Sequence, residues 1–299
     1  MAISPCASKA DPKGRELVSH GTALFPAACY HDDLLQNPVP WHWHTELEAG
    51  VVAEGRAVIA AGAERFTLGP GQGFFITSGA LHTVLVDGAG PCRLHSAVFH
   101  PRLVGGGADS VFWQNYIQPL LAEDAPQCVA LDGGAPWHGE ALRAIETAWD
   151  ACAEEPPGYD LRMREALSQL AFLLCRHRPA GGKPLPAKAL RDEARMKQML
   201  RFIQAHYGEE IGAAAIAESA AVSESECLRC FRSTIGVPPT QYLKQFRIQR
   251  AAELLASTAQ SAAEIGARCG FPDASYFAKS FRQLKGRTPS EYRREHAAD

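Results

Sequence analysis

No apolar run in this 299-residue chain reaches the roughly 18 residues that a membrane span needs. The stretch ALSQLAFLLC, residues 166–175, is among the longest, and Ser168 and Gln169 interrupt it. The opening MAISPCASKADPKGRELVSHG has no apolar core of the kind a secretory signal requires; Lys9, Asp11, Lys13, Arg15 and Glu16 stand there instead. Neither a Gly-rich phosphate loop of the P-loop type nor a G-x-G-x-x-G after a strand is present. The nine cysteines, spread from Cys6 to Cys269, are odd in number and too dispersed for a disulfide framework. These absences argue against a membrane protein, an exported disulfide scaffold and a nucleotide-dependent enzyme, and they predict a cytoplasmic protein with reduced thiols and no membrane partner.

What is there is globular: 46% hydrophobic, 21% charged and 8% aromatic residues. The length exceeds one ordinary domain of about 100 to 200 residues, so two are expected. A net charge of -3 conceals an asymmetry. Residues 191–299 hold 16 Lys and Arg against 13 Asp and Glu, whereas the first 190 hold 14 against 20. The basic part is C-terminal. Such a split hints at a polyanion partner, although a solvated helix face gives the same count.

Periodicity divides the chain further. Residues 39–100 alternate short apolar runs with Gly-containing turns at about 8 to 12 residue spacing, the pattern of an all-β sandwich or barrel. Residues 137–153 and 159–178 change to helical spacing, with Leu142, Ile145, Ala148, Trp149 and Cys152, then Leu161, Ala166, Leu167, Leu170, Phe172, Leu173 and Leu174, as inward positions. Their apolar faces exceed what a small barrel covers, which predicts a homodimer; packing within the chain is the alternative. Residues 179–190, PAGGKPLPAKAL, read as a linker.

Beyond it the pattern is helical and repeats. AAAIAESAAVSESECLRCFRSTIG from 213 and AAEIGARCGFPDASYFAKSFRQLKG from 262 superpose with Ile216 on Ile265, each giving a short helix, a tight turn and a longer helix. Ser223 with Glu226 and Ser261 with Glu264 fit the S-x-x-E capping box. Asp273 caps the second long helix, and Thr288-Pro289-Ser290-Glu291 starts a last one. Residues 240–257 form the helix between the units, with Leu243, Phe246, Ala251, Leu254 and Leu255 inward. In the two longer helices Cys227, Cys230, Phe231 and Ile235, then Tyr276, Phe277, Ser280, Phe281 and Leu284, share the buried faces. Ser225, Leu228, Arg229 and Arg232, then Ser275, Ala278, Lys279 and Arg282, are left outside. That mixture of basic and small side chains suits base edges and phosphates in a major groove. The solvated face of an ordinary bundle is the competing reading. Cys227-x-x-Cys230 offers two thiols on the inward face, which fits a core better than zinc or redox chemistry.

Residues 199–293, and GFPDASYFAKSFRQLKGRTPSEYR above all, closely resemble the two-motif DNA-binding domain of the AraC/XylS family of transcription regulators. The resemblance implies double-stranded DNA as partner, RNA polymerase as a second, base contacts from Ser225, Leu228, Arg229, Ser275, Ala278 and Lys279, and phosphate contacts from Arg232 and Arg282. Glu224 and Glu226 depart from the basic or aromatic residues common early in the first reading helix.

In the N-terminal half, HWHTELEAGVVAEG at 42–55 matches H-x-H-x3-E-x6-G, and GQGFFITSGALH at 71–82 resembles the motif that completes it, so this region is similar to the cupin barrel. Thr77 replaces the usual proline and Val86 the usual asparagine. His42, His44, Glu48 and His82 make a three-imidazole, one-carboxylate set that suits Zn, Mn, Ni or Fe. The same four side chains, with no metal, suit the lining of a polar effector pocket. Trp41, Trp43, Phe74, Phe75 and Leu81 lie near them in sequence, and Trp43 and Phe75 are assigned to the pocket.

The expected protein is multidomain: a variable arm (1–25), an all-β cupin (jelly-roll) sensor barrel (26–110), a helical dimerisation segment (111–178), the linker (179–190) and an all-α domain (191–299) with helix-turn-helix motifs at about 213–235 and 262–285. Its function is that of a sequence-specific DNA-binding transcription regulator responding to a small-molecule effector, with no catalytic residues. Two alternatives stand: a metal-dependent cupin enzyme with a DNA-binding tail, and a constitutive DNA-binding protein with a purely structural barrel.

Overall fold

The computed structural model describes residues 20–36, 38–62, 64–178 and 186–296. Residues 1–19 of the expected arm and 179–185 of the expected linker lie outside this set. The chain divides into two compact units at Glu193/Ala194.

Among the described residues the first unit has nine strands: β1 (Ala27–Asp33), β2 (Val39–His42), β3 (Leu47–Glu54), β4 (Ala57–Ala61), β5 (Glu64–Leu68), β6 (Gly73–Ile76), β7 (His82–Val86), β8 (Arg93–Phe99) and, later in the chain, β9 (Cys128–Leu131). They pair antiparallel into a five-stranded sheet, β1-β8-β3-β6-β9, and a four-stranded sheet, β2-β7-β4-β5. This is the two-sheet β architecture expected. A single chain of apolar residues fills the space between the sheets, including Leu34, Val52, Ile59, Leu68, Phe74, Ile76, Val84 and Leu94. Gly55, the last residue of the first motif, turns β3 into β4 at φ 78°, and a Cβ there would lie 2.0 Å from the Pro91 carbonyl oxygen. Only glycine fits both demands.

The five-stranded sheet is apolar on both faces. Because side chains alternate along a strand, Leu47, Ala49 and Val51 of β3 point away from the barrel, where helices cover them. A short turn of helix, α1 (Arg102–Gly105), precedes the cover, which is α2 (His138–Glu154) and α3 (Tyr159–Arg176). They pack on each other and bury Ala141, Ile145, Ala148, Met163, Leu167 and Leu170 against Phe75, Ala97 and Phe99 of the sheet. The sheet therefore covers most, but not all, of the apolar face of each helix within the chain, and Phe172 is left half-buried. Leu161, expected inward, is 69% exposed. It lies in the first turn of α3, beyond the reach of the sheet. Polar ties reinforce the packing: Trp149 Nε1 donates to the Tyr30 carbonyl at 2.8 Å, and Thr77 Oγ1 donates to the Leu120 carbonyl at 2.7 Å. The segment 111–178 also supplies β9, a strand that short length hides from periodicity.

The expected linker is helical at its end, because α4 (Ala187–His206) begins within it. The second unit continues with α5 (Ala213–Ser219), α6 (Glu224–Thr234), α7 (Pro239–Ser257), α8 (Ala262–Arg268), α9 (Ala274–Lys285) and α10 (Pro289–His296). Ile216, Cys227, Cys230, Phe231, Tyr242 and Leu243 are buried in its first half. Ile248, Ala251, Leu255, Ile265, Cys269, Phe277 and Phe281 form the core of the second. Burial raises the Cys227 thiol to about 11, as a core residue requires. Capping boxes close at Ser261/Glu264 and at Thr288/Glu291, each carboxylate accepting from the cap amide at 2.8 Å. Several expected inward positions differ. Tyr276 and Leu284 are exposed, Tyr276 lying under Lys244 Nζ at 5.5 Å, and Ile235, Phe246 and Leu254 are half-buried. Phe277 and Phe281 already fill the narrow stripe that α9 can bury, so the side chains flanking them stay outside. The turn between α5 and α6 holds Ala221 at φ 52°, and Gly270 stands at the matching place of the second unit at φ 77°.

Candidate functional site

The two motifs bring four ionisable side chains to one buried place. His42 ends β2 and lies opposite His82 of β7 in the register, with ring centroids 4.1 Å apart. His44 follows in the connection to β3, and Glu48 projects from β3 in the opposite sheet. The set thus bridges the two sheets. One donor atom from each of the four lies within 4.8 Å of the others, and all four residues are buried.

The hydrogen bonds define what the cluster can hold. Each imidazole presents Nδ1 to a backbone carbonyl: His42 to Pro40 at 2.9 Å, His44 to Glu46 at 3.1 Å and His82 to Ala80 at 2.8 Å. A carbonyl only accepts, so Nδ1 carries the proton and a neutral ring leaves Nε2 bare. Yet Nε2 of His44 and of His82 both meet Glu48 Oε2, at 3.1 and 3.0 Å. Two lone pairs facing one carboxylate oxygen repel unless a proton or a cation sits between them. A divalent cation satisfies all three groups at once, and carbonyl-oriented imidazoles are the usual outer support of such a site. The residues therefore fit a first-row divalent metal, which would supply a charge for a ligand oxygen or nitrogen to coordinate. Burial alone would raise the Glu48 carboxyl, but hydrogen bonds from His44 and His82 and the charge of those rings outweigh it and hold the group well below its ordinary range.

The pocket assignments separate. Trp43 is buried. Phe75 is not in the barrel: it faces α2 and α3, whereas Phe74, its neighbour on β6, points inward. Period-two alternation forbids adjacent strand residues from sharing a face, and the pocket reading of Phe75 is corrected on that ground. Sequence reasoning missed His20 and Tyr30. His20 Nδ1 and the Tyr30 hydroxyl are hydrogen-bonded at 2.7 Å, and the His20 ring lies 5.4 Å from that of His44. His20 precedes the first strand and belongs to no spacing motif, so only the fold brings it to the site.

On the second unit, Ser225, Arg229 and Arg232 of α6 are exposed and Leu228 is half-buried; on α9, Ser275, Lys279 and Arg282 are exposed and Ala278 is half-buried. Each longer helix thus offers a small, basic outer face whose N-terminus is capped by Ser223 or Asp273. The first cap is incomplete. Ser223 Oγ accepts from the Glu226 amide at 3.2 Å, but the Glu226 carboxylate turns to Arg229 Nη2 and to Arg195 Nη1 of α4.

Comparison with known proteins places both halves. Residues 216–295 match the model of a helix-turn-helix domain, and residues 36–98 match that of a cupin domain. The HTH-type transcriptional regulator YdeC of Bacillus subtilis (strain 168) is 28% identical over 289 residues, covering 95% of this chain and 97% of its own. The HTH-type transcriptional activator RhaS of Salmonella schwarzengrund (strain CVM19633) is 30% identical over 289 residues, covering 92% and 96%. A solved transcriptional regulator with an AraC-type DNA-binding domain, from Chromobacterium violaceum, is 29% identical, covers 35% of this chain and 93% of its own, and superposes with a TM-score of 0.34.

Proposed function

The chain belongs to the AraC family of transcription regulators, binding DNA through its helix-turn-helix half, and on that premise we propose that it is a ligand-responsive activator whose effector binds at the centre of the cupin barrel. The observation that supports responsiveness is the buried cluster of His42, His44, Glu48 and His82. A barrel serving only as structure would fill these positions with apolar side chains, since burying ionisable groups costs several kcal/mol each, on the order given by transfer data. His42, His44, Glu48 and His82 would hold a divalent metal there, which would supply a charge for the effector to coordinate. Turnover is not its role, because a regulator needs only unequal affinity of the effector for two states of the protein, and a consumed effector erases its own signal. His20 and Tyr30 flank the same place and complete its polar wall.

Ser225, Leu228 and Arg229 on α6, and Ser275, Ala278 and Lys279 on α9, read base edges; Arg232 and Arg282 hold phosphates. Activation implies RNA polymerase as partner, and reduced buried thiols accord with the cytoplasm. The protein acts as a homodimer through residues 137–178. A groove of about 1020 Å³ over α2 and α3, in which Phe112, Tyr116, Leu161 and Phe172 lie beside charged side chains such as Arg143 and Glu165, is the mixed surface that a second copy covers.

Two measurements test this. Selection of duplexes from a random pool by the full chain at low salt should enrich one sequence, with affinity falling steeply as salt rises. Elemental analysis after tag-free purification should find about one equivalent of metal, and His42→Ala with His44→Ala should remove it together with the effector response. Less than a tenth of an equivalent, with no uptake of Zn, Mn, Ni or Fe, would leave the four residues as pocket lining; metal-dependent turnover of a candidate effector would favour an enzyme.

A further inference from the structure

The Ser223 cap shows a carboxylate diverted from its expected task. At Ser261/Glu264 and Thr288/Glu291 the N3 carboxylate returns to the cap amide at 2.8 Å, as the S-x-x-E pattern requires. At Ser223 it does not. Glu226 Oε1 accepts instead from Arg229 Nη2, one turn along the same helix, and from Arg195 Nη1 of α4 at 3.4 Å. Arg229 stands six residues after the cap of α6, as Lys279 does after the cap of α9. Where α6 has Glu226, three residues after the cap, α9 has Tyr276, with no carboxylate to offer. The two reading helices are therefore unequal at corresponding positions: the basic residue of α6 is held by its own helix and that of α9 is not held in this way.

We propose that Glu226 is a specificity-determining residue that withholds Arg229 from DNA. The inference rests on the reading of α6 as a DNA-facing helix. A guanidinium reads guanine through paired N–H groups directed at O6 and N7, and Nη2 of Arg229 is committed to Glu226. To turn Nη1 and Nη2 together on a base, Arg229 leaves a carboxylate that then faces the phosphates with one positive partner fewer. Arg195 sets the strength of the hold. It shares Oε1, so it draws charge from the Glu226–Arg229 pair and keeps Glu226 neutralised when Arg229 departs. The consequence is a first half-site read weakly by Arg229 and a second read fully by Lys279.

The test uses the full chain and the duplex it selects from a random pool, with five proteins: wild type, Glu226→Gln, Glu226→Ala, Arg229→Ala and the Glu226→Gln/Arg229→Ala double variant. Glu226→Gln keeps the size and the amide that donates to Ser223 but removes the charge; Glu226→Ala serves as the second charge-free variant, and hydrogen exchange of the α6 amides verifies that each is folded. Glu226→Gln should tighten binding by about 3- to 10-fold, steepen the dependence of log affinity on log salt by about one, and add a guanine preference at one position of the first half-site. All three gains should vanish in the double variant. If both charge-free variants bind within twofold of wild type with unchanged base preference, while Arg229→Ala alone loosens binding, Glu226 withholds nothing and the inference is overturned with the reading of α6 intact. If Arg229→Ala changes neither affinity nor preference in either background, the reading of α6 fails, and the inference with it.

Discussion

Ala221 and Gly270 occupy the same place in the two helix-turn-helix units, both in the left-handed region, at φ 52° and 77°. For a residue with a Cβ that conformation costs about 1 to 2 kcal/mol. Replacing Ala221 by Gly relieves it, and the greater freedom of glycine in the unfolded chain takes back about 0.5 to 1 kcal/mol. Ala221 is exposed, so its methyl group contributes little packing. The net expectation is a second unit more stable by about 0.5 to 1 kcal/mol, or about 2 to 8 °C in melting temperature for a unit of this size. Gly270→Ala is the mirror. Beyond the backbone strain, a Cβ at 270 would lie 2.5 Å from the Tyr207 carbonyl oxygen and 2.8 Å from Arg247 Nη2. Arg247 donates to the carbonyls of Tyr207 at 2.7 Å and Glu209 at 2.6 Å, fastening the end of α4 to α7, so the added methyl disturbs a tertiary clamp as well. A loss of about 2 to 4 kcal/mol follows. The assay has to isolate the second unit. All five tryptophans, Trp41, Trp43, Trp113, Trp137 and Trp149, lie in the first, so indole fluorescence reports the barrel and its helices alone. Native-state hydrogen exchange at the buried amides of α7 reads the global stability of the second unit directly. Faster exchange in Ala221→Gly would show that the turn carries no strain at that residue and would refute the reasoning.

Lys279→Ala should lower specific affinity by about 1 to 3 kcal/mol and relax one base position, by more than Arg229→Ala does in the wild-type background, whereas Arg282→Ala should weaken all duplexes alike; competition titrations against scrambled duplexes separate the two behaviours. Leu161→Glu should shift a dimer to monomer in light scattering at micromolar concentration without altering indole fluorescence, and an unchanged dimer would place the contact elsewhere. Phe75→Ala should cost about 3 to 5 kcal/mol of first-unit stability in urea denaturation while leaving metal content unchanged, because its ring packs on α2 and α3 and not at the histidine cluster; loss of metal would return Phe75 to the barrel side.

The elements legible in the sequence were those whose pattern is local. Helical spacing and caps located α5 to α10 because Ser223, Ser261, Asp273 and Thr288 each mark a start. The H-x-H-x3-E spacing located three of the four clustered groups because His42, His44 and Glu48 lie within seven residues, at the end of β2, in the connection and at the start of β3. What escaped depends on partners distant in the chain. Four-residue β9 is a strand because β6 offers it an edge. Tyr276 and Leu284 fit the apolar stripe of α9, but the neighbouring helices cover only Phe277, Ser280 and Phe281. Glu226 fits a capping box, yet two arginines, one from α4, outcompete a backbone amide for its carboxylate. His20 stands outside every motif; its bond to Tyr30 accompanies a ring that lies 5.4 Å from that of His44.

The dipeptide Phe74-Phe75 makes β6 a party wall between two rooms. Phe74 is fully buried among the residues between the sheets, and Phe75 is buried among those beneath α2 and α3. A four-residue strand has no slack to move one ring and keep the other still, so reshaping the barrel around a larger or smaller occupant disturbs the seat of the helices as well. For anyone re-engineering what this barrel accepts, the helical pair is part of the lock: a substitution at 74 has to be matched by one facing 75, and libraries that vary the barrel interior alone will return variants whose helices have come loose.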